Sequence, residues 1–181
     1  MTIEPYKQSF THSCLVACFF MLLKGQKGID FDRHDERKLW EGGSDRKHPF
    51  YVVGIPKEFS KTIEADVEIC VDNKYFTRVL KKAFGSDSYC KVRHRKITIE
   101  SILEYLKEGP VVCHIDDHVL GNYSHSSHFV ILEKELSQER ILIVDPWMGR
   151  KRRLRFGQIE ESILSLKKHI KMCPLLLRIL D

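Results

Sequence analysis

The longest uninterrupted apolar run of the chain, Cys14 to Leu23, has no polar face. A helix that is apolar all round is one buried on every side, so Leu15 to Leu23 predicts a central buried helix, opened by Thr11 or Ser13 as its cap. Gly25 to Pro56 mixes charges, adjacent glycines and aromatic residues without period, and reads as a loop region holding one short helix near His34 to Trp40. From Ile63 to Val71, Ile63, Ala65, Val67, Ile69 and Val71 alternate with Glu64, Asp66, Glu68 and Cys70, the period of a half-buried strand. Asp72-Asn73 then caps a helix whose apolar positions are Tyr75, Phe76, Val79, Leu80 and Phe84, with Gly85 as its stop. A second helix runs from Thr98 to Glu108 and ends at Gly109-Pro110.

Four strand candidates follow: Val111 to Ile115, His128 to Leu136, Ile141 to Asp145, and Arg152 to Phe156. Ile159, Ile163, Leu166 and Ile170 share one helical face, and Leu175 to Leu180 reads as a closing strand. Helices early and strands late is the segregated pattern of an α+β domain with a mostly antiparallel sheet. At 181 residues, against about 150 for a typical domain, the chain is expected to form one domain over residues 1–181. No internal repeat interrupts it.

With 43% apolar and 30% charged residues, the composition belongs to a folded chain and excludes collagen-like and disordered classes. Ten apolar residues make up about half of a membrane span. Only Lys7 precedes that run as a basic residue, and Thr11-His12-Ser13 breaks the approach to it, unlike a secretory signal. The expectation is therefore a cytoplasmic protein without membrane contact. The six cysteines, at 14, 18, 70, 90, 113 and 173, form no CxxC pair, so no metal and no cofactor is expected. Cys18, Cys70, Cys113 and Cys173 lie among apolar neighbours, as reduced buried thiols do. The net charge of +5 resides in Arg150, Lys151, Arg152, Arg153 and Arg155, because the other basic residues balance the 25 acidic ones. That run is either a solvated hairpin strand or a local site for an acidic partner.

Cys14 differs from the other cysteines because it falls in the first turn of the buried helix, where free backbone N–H groups and the helix dipole favour negative charge on a nucleophile. A nucleophile needs a base and an orienting acceptor. His128 and Asp145 lie symmetrically about the expected turn at Leu136-Ser137-Gln138, so a hairpin would set them directly opposite each other, within reach of imidazole and carboxylate. Gln8, six residues before Cys14, supplies a side-chain amide that can join the Cys14 N–H in holding an oxyanion.

These residues carry a resemblance. Gln8-Ser-Phe-Thr-His-Ser-Cys14 followed by Leu-Val-Ala-Cys-Phe-Phe-Met-Leu, then Gly109-Pro110-Val-Val, His128-Phe-Val-Ile-Leu and Ile-Leu-Ile-Val-Asp145-Pro146, together resemble the papain-like, bacteriocin-processing (double-glycine leader) cysteine peptidases. The likeness covers nearly the whole chain in order. It implies a papain-like fold, Cys14 as nucleophile, His128 as base and acid, Asp145 as orienting residue, Gln8 as oxyanion donor, and a peptide or amide substrate. Ser13 and Leu15 stand where family members commonly carry an acidic residue and a glycine. Freestanding relatives of the same fold include acyltransferases such as phytochelatin synthases, so transfer to an amine is the alternative to hydrolysis, and a catalytically inactive peptide-binding relative is another.

Two further readings start from other residues. His114, Asp116 and His118 alternate, with His125 near, as metal ligands on one strand face would. Arg150 to Arg155 with Trp147 could meet nucleic acid, but the run lacks interleaved aromatic residues and the rest of the chain is electrically balanced, so that partner is not expected.

Overall fold

The computed structural model describes residues 1–44, 50–86, 89–137 and 139–180. Its helices are α1 (Cys14–Lys27), α2 (Arg33–Ser44), α3 (Tyr51–Ile63), α4 (Lys74–Phe84), α5 (Ile99–Glu108) and α6 (Phe156–Ser165). Its strands are β1 (Val67–Val71), β2 (Cys90–His94), β3 (Val111–Asp116), β4 (Ser127–Leu136), β5 (Arg140–Asp145), β6 (Arg150–Arg155) and β7 (Leu175–Ile179). The strands form one sheet in the order β2-β1-β7-β3-β4-β5-β6. Only β1 and β2 run parallel; the other neighbours are antiparallel, giving the α+β class expected from the sequence.

Both faces of the sheet are covered, which is why its central strands are nearly continuous apolar runs rather than alternating ones. Phe129, Ile131, Leu175 and Leu177 join α1, α3 and α4 in one core, while Val130, Leu132, Leu176 and Cys113 join α5 and α6 in a second. Cys14 through Leu23 is buried along its whole length, so α1 is the central helix the sequence called for. Its opening differs from expectation. Ser13 occupies the cap position, but its hydroxyl donates to the Phe10 carbonyl at 2.8 Å instead of accepting a helix N–H, and Thr11 lies in the preceding turn.

The stretch read as a loop is largely helical. α2 is longer than the short helix expected there, and α3 occupies the end of that stretch, carrying Pro56 inside it. Gly43 explains part of the misreading: a Cβ there would lie 2.6 Å from the Ile55 Cα, so the glycine serves a close helix crossing rather than a turn. Residues 45–49 of that stretch lie outside the described residues. Ile63 ends α3, Glu64 takes a left-handed conformation (φ 51°), and the strand expected from Ile63 starts only at Val67. β1 is also buried on both faces rather than half-buried. Its Glu68 is enclosed and neutralised by Arg93 at 2.9 Å and Arg178 at 2.6 Å. β2 has no counterpart in the sequence reading.

The later elements follow expectation within a few residues. β6 begins at Arg150 rather than Arg152, and α6 starts at Phe156 and passes into a wide π-type turn at Leu166–Ile170. No helix among the described residues is long and apolar enough to cross a membrane.

The hairpin of β4 and β5 decides where the candidate catalytic residues point. Near its turn, Lys134 pairs with Leu142 and Leu136 with Arg140; beyond Leu132 the pairing shifts by one residue, to Leu132 with Ile143 and Ile131 with Val144. Glu133 is the extra residue of this bulge. Carried on unshifted, the pairing at the turn would put His128 and Asp145 on opposite faces, because side chains alternate along a strand. The shifted register sets Asp145 level with Val130, two residues from His128 and on its face. The sequence reading had them directly opposite; they are diagonal neighbours, and the error of two residues preserves the face. Gln138, in the expected turn, lies outside the described residues.

Candidate active site

Cys14 is the first residue of α1, where the leading N–H groups of the helix have no intrahelical partner. The residue is 9% exposed and lines a cleft of about 720 Å³, whose walls include His128, Trp40, Tyr51, Trp147 and residues of the 117–127 segment. All six cysteines are free, five of them buried and Cys173 partly so. Cys18, one turn further along α1, is fully enclosed. Its thiol donates to the Phe129 carbonyl at 3.5 Å, and burial pushes it well above the ordinary thiol range.

His128 reaches the cleft from the start of β4. Its Nε2 lies 3.0 Å from Asp145 Oδ1, which leaves Nδ1 as the ring nitrogen for the Cys14 side chain on the same cleft. Burial alone would lower the basicity of this imidazole. The bonds and charges of Asp145 and Cys14 outweigh it and hold the group up at about 9. Asp145 is likewise buried, which would raise its carboxyl. Its bond to His128, the charge of His128 and the backbone N–H groups of Trp147 and Met148 bring it below the usual range. Cys14, His128 and Asp145, from three separate segments, are therefore brought together.

Gln8 is placed differently from a free donor. Its backbone N–H donates to the Pro146 carbonyl at 2.8 Å, tying the N-terminal segment to the residue after Asp145. Its side-chain Nε2 donates to the carbonyls of Phe10 (2.7 Å) and Thr11 (3.2 Å), while Oε1 is buried without a partner. In this state Gln8 shapes the turn ahead of Cys14 and does not line the cleft. The same segment is held from the other side by Glu36, fully buried, which accepts the Ser9 N–H at 3.0 Å and the Tyr6 hydroxyl at 2.7 Å.

Of the residues considered as metal ligands, His114 parts from the others. His114 turns to the Cys173 carbonyl and Ser127 and stacks on Phe129 with 4.4 Å between ring centres. Asp116 accepts from His125 at 2.6 Å and from Ser165, and His125 stacks on His169 with His118 tilted against its ring. Among the described residues no three His, Cys, Asp or Glu side chains converge as metal ligands would. The basic run is partly turned inward: Lys151 pairs with buried Glu133 at 2.7 Å and Arg152 approaches Asp145 at 3.9 Å.

The sequence reading missed the cleft walls Trp40, Tyr51 and Ser127. A lone tryptophan on the strongly polar helix α2 was the one available signal; Tyr51 was hidden in the misread loop. No protein-family model and no curated protein sequence matches this chain.

Proposed function

We propose that this protein is a thiol-dependent acyl hydrolase, a cysteine peptidase with a papain-like fold of the double-glycine leader type. Cys14 is its nucleophile, His128 its base and acid, and Asp145 its orienting group. The observation that carries the reading is the His128–Asp145 bond, Nε2 to Oδ1 at 3.0 Å, with His128 and Cys14 lining one cleft. Nucleophile, base and orienting acceptor in sequence is the arrangement acyl transfer requires.

With the proton on His128, the Cys14 sulfur attacks the substrate carbonyl as thiolate. The tetrahedral oxyanion faces the free N–H groups at the start of α1, where the helix dipole adds positive potential. Gln8 joins them as second donor once its amide leaves one of the two loop carbonyls it now serves. His128 gives its proton to the departing amine, leaving a thioester. It then takes a proton from water, which adds to the thioester and releases the acid and the Cys14 thiolate, with the proton back on His128. Asp145 fixes the ring so that one nitrogen always faces Cys14.

Alkylation tests this. Iodoacetamide below pH 7, followed by peptide mass mapping, is expected to modify Cys14 fast and the other five cysteines slowly, and His128→Ala to erase the difference. Equal slow labelling of several cysteines in the unaltered protein would refute the reading.

A further inference from the structure

Two cavities meet at His128. The cleft described above contains Cys14. A second cavity, of about 210 Å³, is lined by His128, Asp145, Asn122, Trp147, Arg150 and Arg152 among others, and Cys14 does not border it. Asn122, His128 and Trp147 belong to both walls, so the two cavities adjoin at the imidazole. At that volume it falls below the roughly 300 Å³ at which small-molecule pockets begin and suits a single small residue.

Its charges are unequal. Asp145 is answered by His128 at 3.0 Å and by Arg152 at 3.9 Å, and Arg152 is further fixed by donating to the Leu120 carbonyl at 2.8 Å. Arg150 stands across the β5–β6 ladder from Asp145 and has no ion-pair partner among the described residues. One carboxylate thus shares the cavity wall with two arginines, the exposed Arg150 among them, and the cavity is positive even when His128 is neutral. A guanidinium fork left open in such a place matches a carboxylate in two-point geometry.

Direction follows from the chemistry proposed above, on which this inference rests. The general acid must stand beside the departing amine, so the part of the substrate beyond the cleaved bond passes His128 and enters the smaller cavity. We infer that Arg150 binds a carboxylate on the leaving-amine side of the substrate. The preferred substrate class is a peptide whose residue after the cleaved bond carries either an acidic side chain or the free chain end. This assigns a task to a member of the basic run that, unlike Lys151 and Arg152, has no ion-pair partner among the described residues.

Three alkylating probes test it: N-iodoacetylglycine, the α-amide of N-iodoacetylaspartate, and neutral N-iodoacetylglycinamide, with the rate of Cys14 modification followed by mass spectrometry at low salt. At least one carboxylate probe is expected to react about tenfold faster than the neutral one, as a charge-assisted contact provides. The glycine probe alone would mark a chain-terminal carboxylate and the aspartate probe alone an acidic side chain. Arg150→Ala should bring the ratio close to one. Arg153→Ala, on the opposite face of β6, should preserve it. Equal rates for all probes, a ratio that survives Arg150→Ala, or a ratio lost equally in Arg153→Ala would overturn the assignment. If iodoacetamide does not single out Cys14 at all, the nucleophile reading beneath it falls, and the assignment with it.

Discussion

His114 and His128 lie at the same end of neighbouring strands, are exposed by only 3% and 5%, and yet titrate in opposite directions. Burial lowers both. For His114 the remaining neighbours are neutral, a carbonyl at Cys173 and a hydroxyl at Ser127, and the nearby charge of His128 lowers it further, to about 4. Its Nδ1–H donates to the carbonyl, so Nε2 accepts the Ser127 hydroxyl and the ring stays neutral. His128 instead faces a carboxylate and a thiol, and is held at about 9. The same residue type at the same depth becomes a fixed structural ring in one place and a proton carrier in the other. The charge of the partner decides which.

The largest effect separating the two is on turnover. His128→Ala should reduce Cys14-dependent cleavage of a peptide substrate by about 10³-fold, within the 10²–10⁴ typical of a general acid–base group. Far-UV circular dichroism should stay unchanged.

Stability should respond to pH in opposite senses at the two rings. The raised pKa of His128 gives a contribution fully present below its unfolded value of 6.5 and lost as pH rises through about 9. The lowered pKa of His114 gives one fully present above 6.5 and lost as pH falls toward about 4. Each amounts to up to about 3 kcal/mol. Urea midpoints across pH 4 to 10 should therefore peak near 6.5. In His114→Phe the acid side of that peak should flatten, and in His128→Phe the alkaline side.

Asp145→Asn keeps a hydrogen-bonding side chain beside His128 but removes its charge. Turnover should fall by about 10²-fold, and the alkaline limb of the rate profile should move from near 9 to lower pH, because the imidazolium has lost its carboxylate. The smallest effect belongs to His114. His114→Phe retains the stack on Phe129 but leaves the Ser127 hydroxyl without its acceptor, costing about 1–2 kcal/mol in a thermal or urea melt, with the alkaline limb of turnover unmoved.

Much of this was legible along the chain. The all-round apolar run of α1, the β3–β7 segment and the caps of α4 and α5 were marked by local period and by single residues: Asn73 accepts the Phe76 N–H, and Thr98 that of Ser101. What escaped was set by contacts between distant segments. Gly43 and Pro56 read as loop markers, and only the packing of α2 on α3 gives them helical roles. Glu68 read as a solvated position until Arg93 and Arg178 enclosed it. The site was read through its residue types and its hairpin. The bulge at Glu133, which turns His128 and Asp145 to one face, left no local signal, because the residue is held from afar by Lys151 and the Ile3 N–H. Arg150 was visible only as one of a run of charges; its place opposite Asp145 and the pairing of Lys151 with Glu133 distinguish the two.

The central claim is that Cys14, His128 and Asp145 share one proton relay. Its most direct measurement is an NMR titration of the imidazole Cε1–H signals in the intact protein and in Cys14→Ala. The account predicts a His128 midpoint near 9 that falls when the thiol is removed, with His114 neutral down to about 4 in both proteins. A His128 midpoint at the ordinary value of about 6.5, unmoved by loss of Cys14, would contradict it.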